Sequence, residues 1–598
     1  MESKVLKKRG EIQDKDKWAV NEIYSCDEEW EREYKELQEE APKLKNFEGK
    51  LGDAKVLEEY FEVNEKTSRK AEKIYVYAHL RSDEDTSNTT YQAMMNKIDA
   101  YMAEYATYTA YVVPEILALP DGTIEKLMNE NKGLEPYKFL LENILKEKPH
   151  VLDKKEEELL AAASDCLDAP SSIHNIMTNA DMKFGNIKDE DGEEVELTEG
   201  NYSSFIKSKD RNVRKAAFER LFGEYKSFEN TLATTLSSSI KVFNFGAKIR
   251  NYNSALEASL KPNDIPTEVY TNAVKTINDN LSSLHRYVKL KKKLLGLEEM
   301  HMYDLYVPVI EVPKEHVEFD KAVEMAVEGL NPLGKEYLDI FQGGINGGWI
   351  DKYINKGKRG GAYSWGGYDT KPYVLLNYNY ELNDVSTLVH EMGHSIHSYY
   401  SRKEQSYYYA GYTLFCAEVA STTNEALLIH HLINKETDKK KKLYLINQEL
   451  EQIRTTVFRQ LMFAEFELYT HESFEKGLPL TAQDYNAKWH ELNVKYFGPD
   501  MVVDSDIDVE WSRIPHFYSD FYVYQYATGY AAASAFANSI LNGEKDAVEK
   551  YVGFLKSGGS DYPIEILKKA GVDMTTSKPL EATINRFNEL LDMLEKEI

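Results

Sequence analysis

Apolar residues recur at helical spacing through the first third of the chain. Trp30, Tyr34 and Leu37 follow one another at intervals of four and three residues, so they share one face of a helix. Ser25 and Glu28 stand just before them at the spacing of a capping box, which predicts a helix that starts directly after Ser25. The same periodicity persists along the following segments and predicts a mostly helical N-terminal region.

Near residue 180 the period changes. Apolar and polar residues alternate on both sides of the acidic turn Asp191-Gly192, with Met182 and Phe184 before it and Val195 and Leu197 after it. Alternation around a Gly-containing turn predicts a β-hairpin. We place a domain boundary just beyond it, near Gly200, which divides the chain into a mostly helical N-terminal lobe of residues 1–200 and a larger domain of residues 201–598.

Helical patterns dominate the second part of the chain as well. They run from Tyr202 to Phe245 and return after Asp384, whereas the Gly-rich stretch Gly357 to Gly367 interrupts them. The aromatic and β-prone run Tyr373 to Tyr378 follows this stretch and predicts a strand. The predicted fold class is therefore mainly α, with several lobes and a small sheet.

Length and charge narrow the functional classes. A chain of 598 residues exceeds what a single hydrophobic core supports, which agrees with more than one lobe. Its 73 Lys and Arg against 100 Asp and Glu give a net charge of -27, and this charge disfavours nucleic acid and anionic lipid as partners. The lysine-rich runs Lys289 to Lys293 and Lys439 to Lys442 are interpreted as solvated helix faces.

Two further features bear on where the protein works. The basic N-terminus lacks a following apolar region, so neither a signal peptide nor a membrane anchor is expected. The cysteines Cys26, Cys166 and Cys416 are odd in number and form no CxxC pair, which is typical of a reducing compartment. We expect a cytoplasmic protein without membrane or nucleic-acid partners, as a monomer or weak homo-oligomer.

The strongest chemical signal is the pattern His390-Glu391-Met392-Gly393-His394. Residues four apart lie one turn above each other on a helix, so the imidazoles of His390 and His394 can converge on one zinc ion. Glu391 projects about a quarter turn round, where a base for a metal-activated water belongs. An apolar stripe on nearly the opposite side supports a helix here: Val385, Leu388, Val389, Met392, Ile396 and Tyr399. Two structural histidines are the alternative.

A catalytic zinc needs a third protein ligand from elsewhere in the chain. His397 lies on the same helical face, but about 10.5 Å along the axis from His390, so a core position is favoured. Glu418 and Glu425 lie two turns apart on the next predicted helix, among apolar residues where bare carboxylates are costly. One of them would bind the metal and the other would orient an imidazole, and spacing alone leaves open which. Two surface glutamates are the alternative.

A second group of candidates lies near the C-terminus. Tyr522, Tyr526 and Tyr530 repeat at intervals of four on one predicted helix face, and His516 stands just upstream. Phenol and imidazole donors of this kind can stabilise the oxyanion that forms during amide hydrolysis. An aromatic stripe in the core is the alternative.

These segments resemble the thimet-oligopeptidase and neurolysin type of zinc metallopeptidase, and most closely its bacterial branch, oligoendopeptidase F. The resemblance covers roughly residues 200 to 590. The segments that carry it are Asn251 to Leu260, Gly360 to Tyr363, Thr387 to His394, Glu418 to Glu425 and Phe521 to Gly529.

The resemblance implies specific roles around one Zn²⁺ per chain. His390, His394 and Glu418 correspond to the zinc ligands of the family. Glu391 corresponds to the general base, and Glu425 to a supporting carboxylate behind the ligands.

The resemblance also implies roles for the C-terminal group. His516 and Tyr526 correspond to transition-state donors, and Tyr522 to a residue near the substrate. In thimet-type relatives a further tyrosine stands three residues after the one matching Tyr526, whereas this chain has Gly529 there and Tyr530 next. The role of Tyr530 therefore stays open.

The implied fold is a mostly helical, zincin-type metallopeptidase with a deep substrate channel, a metal on the channel floor and a small sheet beside the metal helix. The implied activity is hydrolysis of internal bonds in short unfolded oligopeptides. An exposed edge of the strand Tyr373 to Tyr378 could pair with an extended substrate, and Gly360 and Gly361 would permit close approach; a purely structural hairpin is equally compatible. A dipeptidyl carboxypeptidase-like exopeptidase and a non-catalytic peptide-binding protein are the alternatives.

Overall fold

Helices make up most of the computed structural model, which describes residues 6–310 and 315–597. The mainly α fold predicted from the sequence is confirmed. Up to residue 310 the α-helices are α1 (Asp27–Glu40), α2 (Ala54–Glu84), α3 (Thr89–Thr107), α4 (Val112–Ala118), α5 (Thr123–Glu130), α6 (Lys138–Lys146), α7 (Lys154–Leu167), α8 (Ala169–Ile176), α9 (Glu199–Phe205), α10 (Arg211–Ser227), α11 (Glu229–Ile249), α12 (Ala255–Leu260), α13 (Thr267–Asp279) and α14 (Leu281–Leu294).

Beyond residue 315 helices again prevail. They are α15 (Phe319–Gly329), α16 (Gly334–Asn346), α17 (Leu382–Glu404), α18 (Leu414–Lys435), α19 (Lys439–Ile453), α20 (Arg459–Glu475), α21 (Ala482–Phe497), α22 (Tyr524–Leu541), α23 (Ala547–Ser557), α24 (Pro563–Lys569) and α25 (Lys578–Glu597). The strands are β1 (Asn186–Lys188), β2 (Glu194–Glu196), β3 (Met300–His301), β4 (Ile350–Tyr353), β5 (Tyr363–Trp365), β6 (Tyr373–Tyr378) and β7 (Met501–Val502). None of the described helices is both long and apolar enough for a membrane span.

Two units divide the described residues, and each gathers three separate stretches of chain. The first unit contains the described residues up to Lys148, residues 315–431 and Phe536–Gly571. The second contains residues 149–310, Leu432–Ala535 and residues 572–597. Neither unit has a border near Gly200, and the division into an N-terminal lobe and a second domain stays a prediction.

The N-terminal helices of the first unit form as predicted. Trp30, Tyr34 and Leu37 lie on the buried face of α1, and the Trp30 indole donates a hydrogen bond to the Ile74 carbonyl at 2.9 Å. The predicted capping box is shifted, because Ser25 donates to Glu29 from both its backbone and its hydroxyl rather than to Glu28. The helix therefore begins at Asp27.

These helices share their core with the sheet of the same unit. The buried cluster that contains Trp30 extends to Tyr373 and Leu375 of β6. The first 148 residues thus help to support the sheet that lies beside α17, although more than 200 residues of chain intervene.

The predicted β-hairpin near residue 190 is confirmed in the second unit. β1 and β2 pair antiparallel, with Ile187 opposite Val195. The Asp189 carboxylate accepts hydrogen bonds from the backbone of Asp191 and Glu193, and Gly192 takes a left-handed φ of 82°. Glycine suits this turn because it has no side chain to clash at positive φ.

The predicted strand Tyr373–Tyr378 is confirmed as β6. Of the two alternatives left open for it, the structural hairpin fits, because β5 and β6 pair antiparallel, whereas the exposed edge on β6 is wrong. The sheet has the order β4-β6-β5, with β4 parallel and β5 antiparallel to β6, so β6 is central. Its run of Val374, Leu375 and Leu376 is buried throughout, which is typical of a strand covered on both sides. The strands at the two edges of this sheet are β4 and β5.

Candidate active site

The helix α17 carries the central pattern, and its apolar face fixes its orientation. Five residues of the predicted stripe are fully buried, whereas Tyr399 is half-buried. This burial holds one side of the helix in the core of the first unit and leaves the histidine side partly accessible. The five are Val385, Leu388, Val389, Met392 and Ile396.

Gly393 allows a second helix to approach this one. A Cβ atom built on Gly393 would lie 2.7 Å from Ser421 Cα and 2.9 Å from the Ala420 carbonyl oxygen, both in the backbone of α18. Any larger residue would push the two helices apart. The glycine between the two candidate ligands of α17 therefore sets how close the carboxylates of α18 come.

The side chains of His390, His394 and Glu418 converge on one point. The Nε2 atoms of the two histidines are 3.2 Å apart, and Glu418 Oε2 lies 3.5 Å from each of them. Bonds of roughly 2.0–2.1 Å in tetrahedral geometry place ligand atoms about 3.3 Å apart. The three donor atoms thus fit a single metal ion, and within the part of the chain that the structure describes no other such group is found.

The two glutamates of α18 lie on different sides of His390. Glu418 faces Nε2, whereas Glu425 Oε1 lies 3.3 Å from Nδ1 of the same ring. The Ser386 hydroxyl lies 3.5 Å from the same Glu425 oxygen. Carboxylates in the position of Glu425 commonly orient metal-bound imidazoles. The geometry thus distinguishes two residues that sequence spacing left equivalent.

Glu391 is buried beside the three converging side chains. Burial, together with the nearby carboxylates of Glu418 and Glu425, raises the pKa of Glu391 to about 7. The His390 imidazole and a hydrogen bond from the Ser364 backbone amide oppose this rise in pKa. A carboxylate with few neutralising neighbours is well suited to accept a proton.

Sequence reasoning missed a contact between the edge strand and α17. The Ser364 hydroxyl of β5 and the Ser395 hydroxyl of α17 are 2.7 Å apart, and Ser395 is fully buried. Together with the bond from the Ser364 amide to Glu391, this contact ties the strand to the helix. Isolated serines give no pattern, so only the nearby segment Gly360 to Tyr363 pointed to this strand.

His397 lies in the core among aromatic rings. Its ring stacks on Tyr412 with centroids 3.8 Å apart, and Phe554 lies at 5.1 Å. Burial lowers the pKa of His397 to about 3, so the ring is neutral. These contacts are those of a core residue, the position favoured from the sequence.

The C-terminal candidates lie together in the second unit. His516 Nε2 and the Tyr526 hydroxyl are 3.4 Å apart, and the ring centroids of Tyr522 and Tyr526 are separated by 5.4 Å. Tyr522 precedes α22, so the predicted continuous helical stripe is wrong at its first member. The chain turns at Phe521, whose φ of 59° cannot belong to a right-handed helix. Tyr530 is buried on α22.

Comparison with known families adds to this geometry. A model for peptidase family M3 matches residues 204–586, which is more than half of the chain and includes every candidate site residue. The chain belongs to peptidase family M3. A second model, for oligopeptidase F, matches residues 115–184 of this M3 peptidase. The resemblance predicted from the sequence is confirmed.

Individual relatives of this M3 peptidase match along nearly its whole length. Oligopeptidase PepF of Bacillus subtilis is 48% identical over 99% of this chain and 88% of the relative, and group B oligopeptidase PepB of Streptococcus agalactiae is 42% identical over 98% of both. The crystal structure of oligoendopeptidase-F from Enterococcus faecium is 40% identical over 96% of this chain and 99% of that one, with a TM-score of 0.73. A peptidase crystal structure from Chlamydophila abortus is 37% identical over 99% of this chain and 100% of that chain, with a TM-score of 0.95.

Family membership establishes the class of chemistry. The protein is a metalloendopeptidase with a mainly α, zincin-type fold, as the sequence predicted. Family M3 implies a bound metal, and His390, His394 and Glu418 are the residues that fit one.

Proposed function

We propose that the metal is Zn²⁺, one per chain, held by His390, His394 and Glu418. The observation that carries this proposal is the convergence of two imidazole nitrogens and one carboxylate oxygen within 4.8 Å of one another. Two histidines and a glutamate are a known ligand set of catalytic zinc, whereas Ca²⁺ and Mg²⁺ prefer oxygen ligands throughout. Three ligands also leave one position for water or substrate.

The reaction follows from the position of Glu391. Zinc, when bound, supplies a Lewis acid that polarises a carbonyl and lowers the pKa of water. Glu391 takes a proton from the attacking water and later delivers it to the amine that leaves. The Ser364 backbone amide holds the Glu391 carboxylate, and Glu425 orients the His390 ring. Because these groups are held in place by β5 and α18, little reorganisation is required during the reaction.

His516 and Tyr526 are proposed as donors to the oxyanion, and Tyr522 as a residue that contacts substrate. Support comes from the resemblance and from their grouping within the second unit. Burial lowers the pKa of His516, so its ring is neutral near pH 7 and one ring nitrogen keeps a proton to donate.

We also propose that β5 binds the substrate backbone in an extended conformation. β5 lies at the edge of its sheet, and its Ser364 amide already contacts Glu391. The neighbouring Gly361 has a positive φ of 84° and open space where a side chain would lie. A peptide added at this edge would bring a backbone carbonyl near the base without any requirement on side-chain identity.

The substrates are oligopeptides, and cleavage is at internal bonds. Restriction to short unfolded chains is part of the proposal and follows from the resemblance. A cytoplasmic location and a monomeric or weakly associated state are likewise proposed. Support comes from the net charge of -27 and from three cysteines that form no disulfide.

Metal removal and restoration test the zinc site. Treatment with a chelator should abolish cleavage of an end-blocked quenched peptide, and addition of one equivalent of Zn²⁺ should restore it. Glu425→Gln should weaken zinc binding by about 10- to 100-fold, and Glu418→Gln by more, because it removes a ligand rather than its support. Equal zinc affinity in Glu418→Gln and the wild type would contradict the assignment.

A further inference from the structure

The turn before α22 is held in an unfavourable backbone conformation. Phe521 has a φ of 59°, a region that bulky residues rarely adopt, and its side chain is 1% exposed. The turn separates His516 from Tyr522 and Tyr526. A strained turn persists only where its surroundings enforce it, so the contacts around Phe521 require an explanation.

Glu467 of α20 supplies the first of these contacts. Its Oε1 atom accepts a hydrogen bond from the Phe521 amide at 2.7 Å, and the residue is 2% exposed. Burial raises the pKa of Glu467 well above its usual range, which favours the neutral form of the side chain. Without this oxygen the buried Phe521 amide would lack a partner, and the turn would lose the bond that stabilises its left-handed conformation.

The Ser259 hydroxyl also holds the preceding residue, because it donates to the Asp520 carbonyl oxygen at 3.1 Å. His471 Nε2 lies 3.2 Å from Asp520 Oδ1, although this carboxylate oxygen accepts no hydrogen bond from the described residues. Asn244 Nδ2 lies 3.0 Å from the opposite ring nitrogen of His471. An amide nitrogen can only donate, which places the imidazole proton on the nitrogen that faces Asp520.

Aromatic rings surround the Phe521 side chain. The Phe521 ring lies 4.5 Å from the His471 ring and 5.6 Å from that of Tyr270. Ser259 belongs to the segment Asn251 to Leu260, which carried part of the resemblance although no candidate site residue lies in it. Its contact with the turn gives that segment a physical role.

We propose that Glu467, assisted by Ser259, is a positioning residue that holds the turn at Phe521 and thereby the placement of Tyr526 relative to His516. The inference rests on the donor roles proposed for these two residues. If Glu467 had only a structural role, its substitution would change stability alone. If it is a positioning residue, its substitution also lowers kcat, and the loss depends on the presence of the Tyr526 hydroxyl.

A double-mutant cycle separates these cases. Glu467→Leu removes the acceptor at similar side-chain size, and Glu467→Gln keeps a neutral acceptor oxygen. We expect Glu467→Leu to lower kcat by about 10- to 100-fold, because a misplacement of about 1 Å has effects of this size. KM should change by less than about threefold, zinc content should stay at that of the wild type, and Glu467→Gln should recover most of kcat.

The coupling to Tyr526 is the decisive measurement. In a Tyr526→Phe background, Glu467→Leu should lower kcat by no more than about threefold, because the group it positions is already absent. Glu449→Gln serves as a control, since Glu449 is equally buried in the second unit but pairs with Arg586. It should lower the melting temperature and leave kcat unchanged in both backgrounds.

Several results would overturn the inference. They are wild-type kcat in Glu467→Leu, equal losses in the Leu and Gln variants, or full additivity with Tyr526→Phe. Wild-type kcat in Tyr526→Phe would contradict the donor role of Tyr526 and the inference with it, so the two failures are distinguishable. If Glu467→Leu does not fold, Ser259→Ala enters the same cycle, with an expected loss of about three- to tenfold in kcat that must also be coupled to Tyr526→Phe.

Discussion

At the residue scale, His397 shows how burial determines what an imidazole does. It lies on the same helix as His390 and His394, yet its ring is stacked on Tyr412 and buried in the core. Its Nδ1 atom has no hydrogen-bond partner. The same side chain type therefore serves packing at one position and metal binding, as proposed, one turn away.

A substitution separates these two roles. His397→Phe keeps the aromatic stack and removes both ring nitrogens, so we expect zinc content at the wild-type level and kcat/KM within about threefold of it. The free energy of unfolding should change by less than about 1.5 kcal/mol, as for other core substitutions of similar size. Loss of zinc from this variant, measured by metal analysis, would identify His397 as a ligand instead.

The central residues could be predicted from the sequence because their chemistry depends on local spacing. His390, Glu391 and His394 lie within two helical turns, and helix geometry alone brings the two imidazoles together. The choice between Glu418 and Glu425 could not be made this way. It depends on the close approach of α18 to α17, which is a tertiary contact.

At the element scale, the packing of α17 against α18 depends on Gly393. In Gly393→Ala the added methyl group would meet the α18 backbone at 2.7 Å, and backbone cannot move aside as a flexible side chain can. We expect a loss of about 1–3 kcal/mol in the free energy of unfolding, together with weaker zinc binding and much lower activity, because Glu418 is displaced.

Gly343→Ala is the matched control for this prediction. Gly343 lies within α16, and no atom lies within 4 Å of the position of an added Cβ. Alanine is favoured over glycine inside helices by about 1 kcal/mol, so the control should be as stable as the wild type or more so. Zinc affinity unchanged in Gly393→Ala, measured by competition with a chelator, would show that the helix contact does not set the site.

Helices were more predictable than the sheet for a physical reason. The 3.6-residue period of α1 and α17 can be recognised in consecutive residues of the sequence, and in the structure it corresponds to a buried face on each helix. Strand order depends on partners far apart in the chain, and β4 supplies the second neighbour of β6 across about 20 residues. The apolar run of β6 on both faces was the available signal that this strand is central rather than at an edge.

At the scale of the whole molecule, buried ion pairs make stability depend on pH. Burial alone would raise the pKa of Asp304, but hydrogen bonds from Arg211 and Arg214 outweigh it and hold that pKa below its usual range. A lowered pKa contributes stability above pH of about 4, the ordinary value for Asp, and this contribution is lost as the pH falls through the lowered pKa.

Asp304→Asn tests this contribution. Removal of one partner of a buried pair should lower the free energy of unfolding by about 3–5 kcal/mol at pH 7, and the difference from the wild type should shrink below about pH 4. Asp339→Asn is the control, because the Asp339 side chain is 57% exposed and its helix pair with Lys335 should contribute less than about 0.5 kcal/mol. The difference is measured by denaturant titrations from pH 3 to 7. A difference in the free energy of unfolding that stays constant over this range would contradict the proposed contribution of Asp304.

Among the features of the fold, the division into two units is the hardest to predict from the sequence. Each unit collects three stretches that are far apart along the chain, and no linker composition marks their borders. The N-terminal helices share a core with β6 because of apolar contacts that no local pattern encodes.

Glu391 is proposed as the base beside a zinc ion when this M3 enzyme hydrolyses peptides. The most direct test is cleavage of an end-blocked, internally quenched peptide by the wild type, Glu391→Gln and Glu404→Gln, with zinc measured on all three. Glu404 lies exposed at the end of the same helix and controls for the substitution itself. We predict about one zinc per chain in each protein, wild-type activity in Glu404→Gln, and a loss of about 10²- to 10⁴-fold in Glu391→Gln. Undiminished cleavage by Glu391→Gln, or a wild type that cleaves only peptides with a free terminus, would contradict the account.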